Sequence, residues 1–332
     1  MSWTQTEVTD FQKTNNKALS EINATLRPDK GVKTGKIGIF CHGQVGDLAT
    51  VMSVLAYREE LWPNKEIVWF ANSPNADLLR YAPISEVRPW PWAGNGLPEG
   101  TPDFYPLLCN GDNHLDLEKA KEYELTADLE NGYFPAPHMM TPVQRDGIDY
   151  PNVSRKVFGI AADKPWHPVL NFSEFEIDIM KEAPFANRKT IMLETFCGSG
   201  QSIWDDLFTV RTIEICREKW GSCNFLFASH KDTGQFKDFE GYYSLADFTP
   251  RQAALFIEQC DLFIGVSSGI SVVTSYLGSK PVPKIQCCGS YTCSTVALST
   301  GEINLISSDG HAKPFVLNQF ELKLTEVINR IN

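Results

Sequence analysis

The sequence predicts an α/β protein made of two doubly wound parallel sheets. Three observations point there. An apolar run, Ile37-Gly38-Ile39-Phe40, enters a glycine-bracketed loop, Cys41-His42-Gly43-Gln44-Val45-Gly46. Asp47 then opens a helical pattern with Leu48, Val51, Met52 and Leu55 on one face. Far downstream, Asp261-Leu262-Phe263-Ile264-Gly265-Val266 reads as a buried strand that turns through Ser267-Ser268-Gly269 into a helical stretch, 270–277. Strand and helix alternate through both halves, the pattern of helices packed on parallel sheets. In such sheets ligands bind beyond the carboxyl ends of the strands. Both loops are therefore expected to line sites, the first offering a base and the second hydroxyls and backbone N–H groups for a phosphate.

The elements follow in order. Residues 1–33 are polar and read as an N-terminal extension. A first domain is expected over 34–165. It holds the strand at 37–40, a second strand at 66–70 after the Trp62-Pro63-Asn64 helix stop, a short helix at 75–81 and an edge-like strand at 86–90. Residues 91–113 are rich in Pro and Gly, with a strand expected at 104–109 and a closing helix at 153–160. Residues 166–188 read as a linker. A second domain, 189–314, is expected to alternate a strand at 190–194, a glycine-rich loop at 196–202, a helix at 205–220, a strand at 224–229, a helix at 249–259, the 261–266 strand and a strand at 281–286. Phe320, Leu322, Leu324, Val327 and Ile328 give the tail a helical spacing.

The 332 residues are 42% hydrophobic and 11% aromatic, enough for sizeable cores. A net charge of -11 favours solubility and weighs against a nucleic-acid partner without excluding one. No apolar run reaches the roughly 18 residues of a membrane span. The first 33 residues lack the apolar core of a secretory signal, so a cytoplasmic protein with no integral membrane segment is expected. The nine cysteines then read as reduced thiols. Adjacent Cys287 and Cys288, with Cys293, do not match the spacing of zinc sites, so neither a metal nor a cofactor is expected.

With these motifs in place, the chain resembles the heptosyltransferase-like glycosyltransferases of the GT-B fold, two Rossmann-like doubly wound domains facing a central cleft. Gln44-Val45-Gly46-Asp47 matches the family's S-x-x-G-D loop. Ile264-Gly265-Val266-Ser267-Ser268-Gly269, then Leu277-Gly278-Ser279-Lys280-Pro281-Val282, matches its V-G-x-D-T-G and G-x-P-V stretches. Three positions depart. Ser267 stands for the family's Asp, Val272 for its His, and Ser202 for the Lys of K-x-W, with Trp204 kept. Donor binding must therefore differ in detail, and an ADP-heptose donor does not follow.

The resemblance implies an inverting, metal-independent transfer of a sugar from a nucleotide-sugar donor to an acceptor hydroxyl, the acceptor being unidentified. It implies that the tail, 315–332, crosses back to the first domain. Asp47 would be the base that takes the acceptor proton; a carboxylate capping a helix start is the structural alternative. His42 would share or assist that role, beside Gly43, Gln44 and Gly46 on the acceptor side. Gly198, Ser199, Gly200, Gln201 and Ser202, with Ser267, Ser268 and Gly269, would cradle the diphosphate. Ser229 and His230 would complete the donor site. Glu194, at a strand end, would approach a sugar or ribose hydroxyl, or else cap the neighbouring loop. Three rival functions stay open: a nucleotide-sugar epimerase of related fold, a non-catalytic nucleotide-sugar-binding protein, and a DNA-modifying glycosyltransferase.

Overall fold

A computed structural model describes residues 36–41, 45–90, 124–125, 151, 154–155, 158–183, 185, 187–197, 204–229, 233–288, 303–307 and 316–331. The chain divides into two compact units. One is Met1–Ile148 with Asn152–Pro165; the other is Asp149–Pro151 with Trp166–Asn332. The strand expected at 104–109 lies outside the described residues.

In the first unit, β1 (Lys36–Cys41) pairs in parallel with β2 (Glu66–Asn72) and with the short β4 (Glu124–Leu125), and β3 (Glu86–Trp90) forms the far edge, giving the order β3-β2-β1-β4. Ile37 and Ile39 lie opposite Ile67 and Trp69, all four buried. Between β1 and β2 the chain forms α1 (Val45–Met52), tightens into a 3-10 turn (Ser53–Tyr57) and closes with α2 (Arg58–Leu61). Leu48, Val51, Met52 and Leu55 are all buried, so the expected helical face is the one that packs. Asn64, at φ 63°, makes the turn into β2; asparagine tolerates that left-handed backbone better than most residues.

The second unit carries a six-stranded parallel sheet. Its strands are β5 (Lys189–Glu194), β6 (Cys223–Phe227), β7 (Tyr242–Ser244), β8 (Leu262–Val266), β9 (Lys284–Cys288) and β10 (Ile303–Ser307), in the order β10-β9-β8-β5-β6-β7. Renumbered within the unit, this is 6-5-4-1-2-3, the order of a dinucleotide-type doubly wound sheet. Strands β6 and β8 are buried at every position, as expected when helices cover both faces of a parallel sheet. Five cysteines among the described residues, Cys197, Cys216, Cys223, Cys260 and Cys287, are buried free thiols.

Two expectations about the chain's organisation are corrected. The tail forms α7 (Leu317–Arg330), and its apolar face, Phe320, Leu324, Val327 and Ile328, is spent in the core of the second unit. It packs beside α4 (Asp206–Trp220), where Phe320 meets Phe208 at 5.1 Å and Trp204 at 5.7 Å, and Lys219 donates to Asn329 at 2.9 Å. An amphipathic helix buries one stripe, and this stripe belongs to the second unit rather than crossing back to the first.

Residues 166–188 are likewise part of the second unit, not a linker. Trp166 is buried, and Leu277 N donates to Pro168 O at 2.6 Å. α3 (Glu174–Glu182) opens with a capping box from Ser173 and Glu176. Glu176 also pairs with Arg251, on α5 (Pro250–Leu255). Arg251 is fully buried, donates to Asn171 O at 2.9 Å and stacks over Phe172 at 5.5 Å. Among the described residues no helix is long and apolar enough to cross a membrane.

The Arg251 guanidinium, with lesser help from Ser173 and Gln252, outweighs burial and holds the Glu176 carboxyl down at about 2. A carboxyl with a depressed folded value contributes stability above its unfolded value, and loses it as pH falls. That contribution is expected to vanish between about pH 4.5 and pH 2. At neutral pH, Arg251→Met strands Glu176 and should lower stability by about 3 kcal/mol in urea titration. The double variant Arg251→Met/Glu176→Leu should recover part of that loss. An Arg251→Met protein as stable as wild type would refute the tie.

Candidate functional site

In the second sheet the strand order reverses between β5 and β8: β6 and β7 lie on one side, β9 and β10 on the other. The chain leaves the carboxyl ends of β5 and β8 in opposite directions, which opens a crevice at that edge. The exits of β5, β6 and β8 meet there, bringing together Glu194, Ser229 and the Ser267-Ser268-Gly269 turn.

Glu194 faces Gly265 across the β5–β8 ladder. A Cβ at position 265 would sit 2.9 Å from Glu194 Cβ and 3.1 Å from Glu194 O. Glycine is thus what lets a long side chain turn into the sheet at this point. The Glu194 carboxyl is 2% exposed, and its Oε1 accepts from Phe196 N at 2.9 Å and from Ser229 Oγ at 2.8 Å. Ser229 Oγ also accepts from Thr195 N at 2.8 Å and lies 2.9 Å from Thr195 Oγ1. A hydroxyl has one proton. Ser229 gives its proton to Glu194, so Thr195 Oγ1 must be the donor in the last contact. Of the two readings of Glu194, a sugar or ribose hydroxyl or the neighbouring loop, its contacts among the described residues are those of the loop: it braces the start of its own exit.

The same loop is tied on its other flank. Cys197 Sγ donates to Ser267 O at 2.9 Å, and Ser267 N donates to Cys287 O at 3.1 Å. Ser271 Oγ accepts from Ser268 N at 3.3 Å and from Gln286 Nε2 at 2.8 Å, and donates to Ser268 O at 2.6 Å. Ser268 Oγ is buried without a hydrogen-bond partner among the described residues. α6 (Gly269–Val273) is only five residues long. The turn's anion affinity would come from its hydroxyls and N–H groups more than from a helix dipole.

Electrostatics at the neighbouring helix run against an anion. Asp205 caps α4 by accepting from Leu207 N at 2.8 Å, and Asp206 follows in the first turn. Carboxylates there already satisfy the helix's positive end. Trp204 bonds through Nε1 to Thr209 Oγ1 at 2.8 Å and packs on Phe208 and Phe320, a core role that accounts for this indole without a ligand.

In the first unit, α1 begins at Val45, so Gly46 lies within the helix and Asp47 is its third residue, not its cap. The helical turn carries Thr50 Oγ1 bonded to Gly46 O at 2.8 Å. A carboxylate in the first turn is favourable to the dipole. Asp47 is partly exposed. His42, Gly43, Gln44, Gly198, Ser199, Gly200, Gln201, Ser202 and His230 lie outside the described residues. Among the described residues no group of three or more His, Cys, Asp or Glu is placed to hold a metal ion.

Sequence reasoning missed Thr195, Phe196, Cys197 and Gly265. A glycine inside an apolar strand was the available signal, since it often marks close approach of another chain segment.

No protein-family model and no curated protein matches the sequence. Solved structures do. The chain is similar to a glycosyl transferase family 9 protein from Veillonella parvula, with a TM-score of 0.61 at 11% identity over 90% of each chain. It is similar to the ADP-heptose lipopolysaccharide heptosyltransferase II of E. coli, with a TM-score of 0.58 at 16% identity, covering 89% of this chain and 99% of that one. It is also similar to E. coli heptosyltransferase WaaC with ADP, with a TM-score of 0.56 at 12% identity, covering 88% and 99%. At these identities what is shared is the fold: the parallel-sheet α/β architecture of the GT-B transferases that the motifs led us to expect.

Burial pushes the Glu194 carboxyl up to about 7, against two hydrogen bonds that favour its ionised form. The folded protein then binds a proton more tightly than the unfolded chain. Stability therefore falls as pH rises from about 4.5 to about 7 and is level above. Glu194→Gln removes that swing of about 3 kcal/mol. Its urea midpoint should gain on wild type between pH 5 and pH 7 and hold that gain to pH 8. A constant difference across that range would refute the assignment. Gly265→Ala should cost about 1–3 kcal/mol, because backbone stands in the way of the new methyl.

Proposed function

We propose that this protein is a glycosyltransferase that moves a sugar from a nucleotide-sugar donor to an acceptor hydroxyl, with inversion and without a metal. The observation that carries the reading is the strand reversal between β5 and β8, with Ser229 and the Ser267-Ser268-Gly269 turn at its edge. The donor diphosphate would lie at that edge, held also by Gly198, Ser199, Gly200, Gln201, Ser202 and His230. Solved neighbours of like fold include heptosyltransferase WaaC with ADP and with an ADP-2-deoxy-2-fluoro heptose, which supports a nucleoside diphosphate as the ligand.

The acceptor would bind at the β1–α1 junction, along Gly43, Gln44 and Gly46. Asp47, assisted by His42, takes the hydroxyl proton. The freed oxygen pair attacks the anomeric carbon from the face opposite the diphosphate, which inverts it. The bond to the leaving oxygen breaks, and its electron pair departs with the nucleoside diphosphate. Hydroxyl and N–H donors at the β5 and β8 exits would stabilise that growing charge. With Ser202, Ser267 and Val272 where the family has Lys, Asp and His, His230 would supply charge that Ser202 does not.

The same three positions, and the carboxylates at the start of α4, favour one rival: a nucleotide-sugar-binding protein without turnover. Thermal shift against ADP, UDP, GDP and their sugar conjugates identifies the ligand, because a bound ligand raises stability by mass action. Release of free nucleoside diphosphate in the presence of an acceptor then separates the transferase from the binder.

Asp47→Asn should lower turnover by roughly 10²- to 10⁴-fold with donor affinity unchanged. Its stability should fall by no more than about 1 kcal/mol, the value of a first-turn charge. Full activity in this variant would move the base role to His42. Gly269→Leu should weaken nucleotide binding sharply; unchanged affinity in calorimetry would take the diphosphate away from the β8 turn.

A further inference from the structure

Glu194 is costly to keep. An ionisable group sits in the sheet where Gln would make the same two contacts, since an amide oxygen also accepts from Phe196 N and Ser229 Oγ. The carboxyl group adds only its proton. Oε1 is filled by two donors, so the proton of the neutral acid belongs on Oε2. Whether that proton is present determines whether the junction of the β5, β6 and β8 exits is neutral or carries a full negative charge.

We propose that Glu194 is a positioning residue that couples nucleoside diphosphate binding to uptake of a proton at the β5–β8 edge. The inference rests on the donor-site reading given above and deepens it. The geometry supports it in three ways. The carboxyl is anchored to the backbone of the exit loop, through Phe196 N directly and through Ser229 to Thr195 N. Its Cβ packs against Gly265 in β8, one strand position before Val266 and the Ser267 turn. And Cys197, in the same loop, bonds to Ser267 O, so the loop braced by Glu194 is also the loop that meets the proposed cradle.

The exit of β6 contributes the Ser229 hydroxyl, β8 contributes Gly265 and the Phe263 ring, and the exit loop of β5 contributes the Cys197 thiol. Beyond the Phe263 ring on the same face of the sheet lies Lys284 of β9, fully buried, with its Nζ 5.4 Å over that ring and bonded to Thr274 Oγ1 at 3.1 Å. Burial already brings the carboxyl close to neutrality. A diphosphate arriving at the same strand ends would penalise the carboxylate further and favour the acid. Nothing else need react: one proton passes from solvent to Glu194 as the anion binds, and returns when it leaves. Rival proton acceptors are Lys284, which burial holds down to about 7 beside the Phe263 ring, and His230 and Lys231, which follow Ser229 in sequence.

The test is calorimetry with ADP, and with UDP and GDP in parallel, in buffers of different ionisation enthalpy between pH 7.5 and pH 8.5, where the free nucleotide's phosphates are ionised. Wild type should take up roughly 0.5 to 1 proton per nucleotide, and its affinity should weaken several-fold across that range. Glu194→Gln should bind with uptake near zero and a flat pH profile. Glu194→Ala, which removes the brace as well, should lose affinity at every pH, with faster amide exchange at Phe196. Proton uptake that persists in Glu194→Gln, or that disappears in His230→Gln while Glu194 is intact, overturns the proposal. So does wild-type binding with no proton uptake, an outcome that leaves the donor reading standing. Failure of every nucleoside diphosphate to bind at any pH would remove the donor reading and this inference together.

Discussion

The second unit is organised around one constraint: β5 and β8 must run side by side in a parallel sheet while their connections leave on opposite sides. Parallel strands need long crossovers, and those crossovers are almost always right-handed. Helices therefore cover both faces, the strands become buried throughout, and the strand ends between β5 and β8 remain as an open edge. Gly265 and Glu194 show how tight this junction is. A single methyl at position 265 would fall within 3 Å of the Glu194 side chain, so the closest point between the two central strands also fixes where a carboxyl can enter the sheet.

From that junction the local chemistry follows. The exit loop of β5 is not held by its helix, which starts only at Asp206 behind its own carboxylate cap. It is held by side chains: Glu194 and Ser229 on one flank, Cys197 to Ser267 on the other. The bonds through Ser229 and Ser267 tie the start of the loop to the exits of neighbouring strands, so that part of the rim is set by the sheet. Groups whose positions are fixed by burial thus shape the start of that rim.

Much of the fold was legible because its signals are local. The face formed by Leu48, Val51, Met52 and Leu55, the strand 262–266 and the helix 206–220 each announce themselves by periodicity or by an apolar run of the right length. Boundaries slipped where a local rule yields to packing: α1 starts before Asp47 rather than after it, and α6 stops at Val273, short of the expected Leu277. What periodicity could not show was ownership. The stripe of α7 is equally amphipathic whichever sheet it covers, and only Phe320 against Phe208 and Trp204 decides it. Segment 166–188 read as a linker because its decisive contact, Glu176 with Arg251, joins residues 75 apart. The strand-to-helix turns at the β5–β8 edge were legible as turns, while the two readings of Glu194 could not be separated, since a strand-end carboxylate looks the same in sequence whether it faces ligand or core.

The departures from the family pattern acquire a physical sense at the β5–β8 edge. With Ser202 where the pattern it resembles has a lysine, and Asp205 and Asp206 at the start of α4, the rim would be less attractive to a diphosphate by ordinary Coulomb reasoning. A buried carboxyl that ionised freely would make it less attractive still. Burial acts the other way: in a low-dielectric junction the neutral acid is the cheaper form, and an approaching anion makes it cheaper again. Hydroxyls, N–H groups and a protonated acid would let such a rim accept negative charge. The affinity of such a rim depends on its geometry staying intact, which is why the hydrogen bonds that fix Phe196, Thr195 and Ser267 matter as much as the groups that would touch the ligand.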